Sequence, residues 1–369
     1  MKTYKFIAKT MILMWSLFII LALFQQVLAE STNRSVPIVK AMTQNVFIGA
    51  DLDLIFEAPD LQTGVALFLQ AVQNTDFSER AEALADEIQR RRPDLIGLQE
   101  VALFALIAPE DPFFAIPYLD YKEILLKALS ARNLHYEAAV TANNTTVTFL
   151  FFDGSGVQFT DRDVILVQKK VIVSDAEVAT FSTLRAFPQV PPFIGKFVTR
   201  GYAAINAIVR GKTYRFVNTH LENEGDDPNI QDDQAKELIG HLESERLPII
   251  LVGDFNSGPS IEQPIPRMDS PYDRLVEEGY IDAWAERKGP RAYSGDPGFT
   301  CCQDKDLLNK VSELDKRIDL IWIRPAGLPL GVNEVLARTT VEGDNPREKT
   351  PSGLWPSDHA GVAAKMNVP

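Results

Sequence analysis

Cysteine is almost missing: the 369-residue chain holds two, Cys301 and Cys302, side by side. One adjacent pair builds no disulfide framework, so a hydrophobic core has to hold the fold. With no third cysteine the pair also fails as a thiolate metal set, which leaves a reduced buried pair or a strained vicinal disulfide. Basic charge is short as well. Lys and Arg number 37 against 50 Asp and Glu, a net charge of −13. A field of that sign opposes a general grip on polyanions, although a local patch or a metal ion can still capture one phosphate. No G-x-x-x-x-G-K-[ST] loop, H-E-x-x-H helix or G-x-S-x-G elbow occurs, so NTPase, zinc-protease and serine-hydrolase readings have no motif behind them. There is no repeat, and the 21 Gly and 23 Pro gather into no linker.

What is present begins with Lys2, Lys5 and Lys9 ahead of an uncharged run, Met11 to Phe24, apolar but for Ser16, and a small-residue site at Val27 and Ala29. This is the pattern of a secretory leader. Fourteen helical residues span about 21 Å, short of the roughly 30 Å hydrocarbon core. Residues 1–29 are therefore expected to be a cleaved signal peptide and 30–369 the exported domain, with an uncleaved N-terminal anchor as the alternative. Cleavage removes three Lys and no acid, taking the formal charge to −16. No later run approaches 18 apolar residues.

The remainder alternates strand and helix signals. Strands are expected at Pro37–Val46, Leu95–Leu98, Val164–Val167, Ile249–Val252, Ile318–Ile323, Val332–Ala337 and Gly361–Met366, with a hairpin of Tyr202–Val209 and Tyr214–Asn218. Helices are expected over Glu79–Arg91, Gln231–Ser244 and a short stretch from the Ser270 cap to Glu278. Phe104–Pro117 and Phe181–Phe197 read as irregular apolar loops, either folded back onto the core or forming a substrate-side or lipid-facing rim.

Five apolar segments adjoin polar knots: Thr43-Gln44-Asn45, Leu98-Gln99-Glu100, Val217-Asn218-Thr219-His220, Val252-Gly253-Asp254-Phe255-Asn256 and Ser357-Asp358-His359. Carboxylates and imidazoles at buried strand ends are costly unless they converge on one cleft. Two of the four histidines lie in these knots. The other two, His135 and His241, read as structural or solvated.

These knots, together with Arg317-Ile318-Asp319-Leu320, resemble the endonuclease/exonuclease/phosphatase superfamily. The resemblance runs from Asn45 to His359 in the family's order. It implies an α/β fold, the four-layer α/β/β/α sandwich of two packed mixed sheets of deoxyribonuclease I type. The run Gly298-Phe299-Thr300-Cys301-Cys302-Gln303 is similar to a secreted bacterial branch of that family.

Residue by residue, the resemblance implies that Glu100 binds a divalent cation, Mg²⁺ with Mn²⁺ as a substitute, beside Asn45 and with help from Asp358. Carboxylates and amides suit such hard ions. It assigns Asp254 to orienting or deprotonating the attacking water, Asn256 to hydrogen-bonding the phosphoryl oxygen, and His359, oriented by Asp319, to general acid/base work. His220 would be a second, cationic donor. Arg200 and Arg317 are expected to touch substrate. Phe47 stands where some nuclease members carry another acidic ligand, which favours a single-ion site.

The expected activity is exported, metal-dependent hydrolysis of a phosphodiester or phosphomonoester. The partner is then a phosphoester substrate: a small molecule, a nucleic acid or a phospholipid headgroup, with no obligate protein partner. Alternatives are a nuclease on DNA or RNA, a sphingomyelinase-like phospholipid diesterase and, from a different class, an inactive binding module on the same fold.

Overall fold

Apolar runs buried on both faces build the central strands of two sheets, and the functional strand ends meet at one edge. The computed structural model describes residues 37–186, 197–223, 227–259, 270–286, 296–326 and 335–369. The leader expected at 1–29 lies outside these residues, and Ile38–Pro369 form one compact unit. No helix among the described residues is long and apolar enough to cross a membrane.

The first sheet holds β1 (Ile38–Asn45), β2 (Leu95–Gln99), β3 (Leu103–Ala108), β4 (Asp111–Asp120), β5 (Tyr136–Leu150) and β6 (Gly156–Gln168). Two strands from the chain's end, β15 (Leu336–Glu342) and β16 (Gly361–Asn367), complete it. Its order is β15-β16-β1-β2-β6-β3-β4, with β5 on the other edge of β6. The second sheet holds β7 (Ile172–Thr180), β10 (Gly201–Val209), β11 (Lys212–His220), β12 (Ile249–Asp254), β13 (Ile281–Asp282) and β14 (Asp319–Arg324), ordered β13-β14-β12-β11-β10-β7. A small pair, β8 (Arg185–Ala186) and β9 (Phe197–Val198), stands apart. Each main sheet has one parallel pair, β1 with β2 and β11 with β12, among antiparallel ones, so both are mixed.

Three apolar layers hold the sandwich. Val39, Ala41, Ile165 and Val167 of one sheet meet Ile205, Phe216, Ile250 and Ile321 of the other between the sheets. Outside the first sheet lie α2 (Leu61–Asn74), α3 (Phe77–Arg91) and α4 (Tyr121–Ala131), reached through the one-turn α1 (Asp53–Phe56) and buried through Phe68, Leu84, Ile88 and Leu125. Outside the second lie α5 (Pro228–Leu242) and α6 (Pro271–Glu277), buried through Ala235, Leu238 and Leu275. Each fully buried Leu or Phe contributes about 1.5–3 kcal/mol, so the stripes rather than helix propensity fix these positions. Asp76 caps α3 by accepting from Ser78 N and Glu79 N, which starts that helix two residues before the expected Glu79.

Two expectations are corrected. Phe104–Pro117 is no irregular loop: most of it belongs to the hairpin of β3 and β4. Pro112 and Pro117 disguised β4, but as an edge strand it can spare those ladder hydrogen bonds. Of the strand expected at Val332–Ala337, residues 332–334 lie outside the described set, and the strand seen is Leu336–Glu342, five residues longer at its far end. In the Phe181–Phe197 stretch, residues 187–196 lie outside the described set, and its ends pair as β8 and β9.

Candidate active site

Asn45, Glu100, His220 and Asp254 stand at or just past the C-terminal ends of β1, β2, β11 and β12, while Asp319 opens β14. Asp358 and His359 immediately precede β16. Because β12 and β14 are antiparallel with Asp254 opposite Asp319, both carboxylates fall at the same sheet edge. His220 is opposite Asp254 in the parallel β11–β12 pair. Gly253 permits this closeness, since a Cβ there would lie 2.0 Å from Thr219 O. Beneath the cleft Asn218 joins the sheets, donating to Leu98 O at 2.9 Å and accepting from Gln99 Nε2 at 2.6 Å.

Glu100 owes its direction to a break in a ladder. Both β2 and β3 pair with one edge of β6, and the chain between them turns with Glu100 at φ 58°. Such a conformation is costly for a non-glycine residue and recurs at functional sites. Phe47 (φ 59°) and Asn256 (φ 48°) flank the same cleft in the same state. Glu100 accepts from Asn45 Nδ2 at 3.0 Å and Ile48 N at 2.9 Å. Burial, then the charges of Asp358 and Asp161, push its carboxyl up to about 7. A divalent cation beside Glu100 and Asp358 would relieve that repulsion, so these oxygen donors fit a hard ion.

Asn45 is a bridge between carboxylates. Its amide NH2 donates to Glu100 and to Asp254 Oδ2 at 3.1 Å, while its oxygen accepts from Phe47 N at 3.0 Å. Ser357 donates to Asn45 O at 2.7 Å and accepts from His359 N at 3.2 Å, fastening the Asp358 loop to β1. Arg80, fully buried, ties the same loops from below by donating to Val46 O (2.6 Å), Phe47 O (3.1 Å) and Pro356 O (3.1 Å). Phe47 packs on Leu307, Leu354 and Trp355.

His359 Nδ1 lies 2.8 Å from Asp319 Oδ2, and its Nε2 is 3.9 Å from Asp254 Oδ2. Burial alone would lower its pKa, but Asp319, Asp358 and Asp254 outweigh it and hold the imidazole well above its ordinary value. Donor atoms of Asp254, Asp319 and His359 lie within 4.8 Å of one another, a buried group that could itself hold a metal ion. The direct His359–Asp319 bond favours an acid–base pair in that place. Asp254 is raised to about 6, by burial first and then by Asp319, and accepts from Asn256 N at 2.9 Å.

The surroundings of His220 oppose the cationic form expected of it. It is buried, and its Nδ1 accepts from Arg200 Nη1 at 2.9 Å. Burial first, then the charges of Arg200 and His359, drive its pKa well below the ordinary value. Its Nε2 lies 3.5 Å from Asp254 Oδ2 and 3.4 Å from Asn256 Nδ2.

The two arginines expected to touch substrate are engaged by the protein. Arg200 is bound to His220 and, at 3.0 Å, to Asp161. Arg317 pairs with Asp282 at 2.8 Å and lies over the Tyr272 ring at 5.6 Å. Sequence reasoning missed Asp161, Asp163 and Glu222, all buried. Asp161-Arg162-Asp163 directly before the apolar Val164–Val167 was the available signal: charges inside a strand need a local reason.

Cys301 and Cys302 are joined to each other, which selects the vicinal-disulfide alternative. Their segment props the acid–base pair: Thr300 Oγ1 accepts from Asp319 N at 3.1 Å, Thr300 O from Ala360 N at 2.6 Å, and Gln303 N donates to Asp358 O at 2.9 Å.

Acid, amide and imidazole groups thus converge on the ends of these strands, and the comparisons identify the family and the fold that carry them. The chain belongs to the endonuclease/exonuclease/phosphatase family, whose sequence model matches residues 70–359. No curated protein matches it by sequence. Among solved structures it is similar to an endonuclease/exonuclease/phosphatase family protein of Leptotrichia buccalis C-1013-b, at 17% identity and TM-score 0.54, over 89% of this chain and 99% of that one. It is also similar to a mannosyl-6-phosphatase of Bacteroides thetaiotaomicron VPI-5482, at 17% identity and TM-score 0.51, over 89% and 99%. At these identities the likeness speaks for the fold, which is of deoxyribonuclease I type.

Proposed function

We propose that the protein is an exported phosphoesterase that uses a divalent cation, Mg²⁺ by the chemistry of its donors, to hydrolyse a phosphodiester or phosphomonoester by in-line attack of water. The observation that carries this reading is the meeting of an acid-crowded Glu100, a carboxylate at about 6 in Asp254 and a charged His359–Asp319 pair in one cleft. A cation held by Glu100 and Asp358 would supply the positive charge that draws a phosphate into this acidic surrounding. Asp254, half-deprotonated near pH 6, orients and deprotonates the water. Asn256 and the Nε2–H of His220 present neutral donors to phosphoryl oxygens. His359, kept charged by Asp319, faces developing negative charge and can give a proton to the leaving oxygen. The leader pattern at residues 1–29 supports export.

A second reading, action at a lipid surface, draws on the hairpin found where a loop was expected. β3 continues β2 past Glu100 along β6, so Leu106 stands about 10 Å beyond Leu103 on the side of the cleft. Leu106 and its cross-strand partner Ile116 are half exposed, and Phe152 of the neighbouring turn is fully exposed. Such an apolar arm beside the cleft suits a phospholipid diesterase.

The test is a hydrolysis panel with Mg²⁺ and with EDTA: plasmid DNA, RNA, sphingomyelin vesicles, mannose 6-phosphate, inositol phosphates and bis-p-nitrophenyl phosphate. Turnover that stops in EDTA and returns with Mg²⁺ or Mn²⁺ supports the reading, and the preferred substrate selects the branch. Activity undiminished by chelator, or none on any substrate, overturns it.

A further inference from the structure

Burial disfavours a charged His220, and the Arg200 guanidinium against its Nδ1 adds to that and decides which ring nitrogen is bare. Arg200 immediately precedes β10, whose first residue, Gly201, pairs with His220. Its guanidinium is held on three sides, by His220 Nδ1 at 2.9 Å, Asp161 Oδ2 at 3.0 Å and Glu222 Oε2 at 3.6 Å. Asp161 belongs to the first sheet and Glu222 follows β11 of the second, so the arginine cross-links the two beside the cleft. A guanidinium has donors and no acceptor. The ring nitrogen that meets it has to be the bare one, and the proton of a neutral imidazole then sits on Nε2.

We propose that Arg200 is a positioning residue: it fixes His220 as the Nε2–H tautomer and so aims a neutral hydrogen-bond donor into the cleft beside Asp254 and Asn256. The carboxylates around His220 pull in both directions. Asp254 from β12, 3.5 Å from Nε2, favours the same Nε2–H form, whereas Asp161 from β6 and Glu222 from its own strand's exit flank Arg200 on the Nδ1 side, and His359 adds opposing charge from the loop before β16. Without the guanidinium, Asp161 or Glu222 could accept from Nδ1–H, which would leave a bare Nε2 or an imidazolium. A bare Nε2 repels a phosphoryl oxygen, and the donor is lost. Engaged as it is, Arg200 acts on the reaction through His220 rather than as a clamp on substrate.

The kinetic consequence rests on the phosphoesterase reading, whereas the tautomer can be read without turnover, so the two can fail separately. Two-dimensional ¹⁵N–¹H spectra of the ¹⁵N-histidine-labelled full chain, with His220→Gln assigning the signal, should show His220 as Nε2–H. Arg200→Met should move it to Nδ1–H or to the doubly protonated form. With an active substrate, kcat should fall about 10- to 100-fold while KM changes less than about threefold, as for a catalytic imidazole in the wrong tautomer. Arg200→Lys, also a donor without an acceptor, should keep Nε2–H and restore most of kcat. A folded Arg200→Met protein that retains Nε2–H overturns the proposal, as does a loss confined to KM. If Arg200→Met fails to fold, Arg200→Lys decides: Nε2–H retained supports the assignment, and a changed tautomer with unchanged kcat overturns it.

Discussion

Two buried histidines face one cleft, and their neighbours give them opposite characters. His359 leans on the carboxylate of Asp319 and is held charged, whereas His220 leans on the guanidinium of Arg200 and is held neutral. Burial opposes charge on both rings; at His359 the carboxylates of Asp319, Asp358 and Asp254 outweigh it, whereas at His220 the Arg200 guanidinium adds to it. The lesson is that a histidine in a family motif does not declare its role until its second nitrogen is accounted for.

The largest effects should come from the charged pole. Asp319→Asn keeps the volume and removes the charge, so kcat should fall on the order of 10²-fold or more, with a smaller change in KM. His359→Ala should cost at least as much, and the double variant little more than His359→Ala, because the pair serves one function. Multiplicative losses in steady-state kinetics would break the pair apart.

The neutral pole should tolerate a neutral substitute. His220→Gln offers an amide donor and should lose about tenfold in kcat, while His359→Gln should lose on the order of 10²-fold or more. Equal losses at the two positions would erase the distinction drawn here.

Glu100 sharpens the comparison from the metal's side. Glu100→Gln should shift the Mg²⁺ activation curve about tenfold or more to higher concentration. In the intact protein the carboxyl is held at about 7, so a cation has to displace a proton below that pH. Apparent Mg²⁺ affinity should therefore climb by up to about tenfold per pH unit towards pH 7 and level off above it. Titrations at pH 5.5, 6.5, 7.5 and 8.5 read this directly, and a flat affinity would remove Glu100 as a ligand.

The smallest effect is thermal. A carboxyl raised in the folded state stabilises the metal-free protein below its ordinary pKa, and that contribution is lost as pH rises through about 7. The Mg²⁺-induced rise in Tm should grow from pH 5.5 to pH 8, by a few degrees. A rise that shrinks with pH would contradict the sign.

Much of this site was legible because it lies where apolar strands stop. Asn45, Glu100, His220, Asp254, Asp319 and His359 each sit at the end or start of a strand readable from its run of Val, Ile and Leu. The reading failed where contact between distant segments sets the chemistry. Nothing local to His220 announces Arg200, twenty residues earlier, and the charged imidazole expected there follows the motif rather than the partner. The β3–β4 hairpin was hidden for another reason, since prolines that exclude a central strand are tolerated at an edge. Asp161 and Asp163 are not legible from a strand that begins at Val164, because they are buried in the part of β6 that precedes its apolar run.

The central claim, one charged and one neutral histidine in one cleft, is tested most directly by a pH titration of the ¹⁵N-labelled imidazoles in the Mg²⁺-bound protein. The account predicts that at pH 7 His359 carries protons on both nitrogens and His220 on Nε2 alone, and that His220 gains its second proton at lower pH than His359 does. A His220 that is doubly protonated at pH 7, or a His359 that is neutral there, would contradict it.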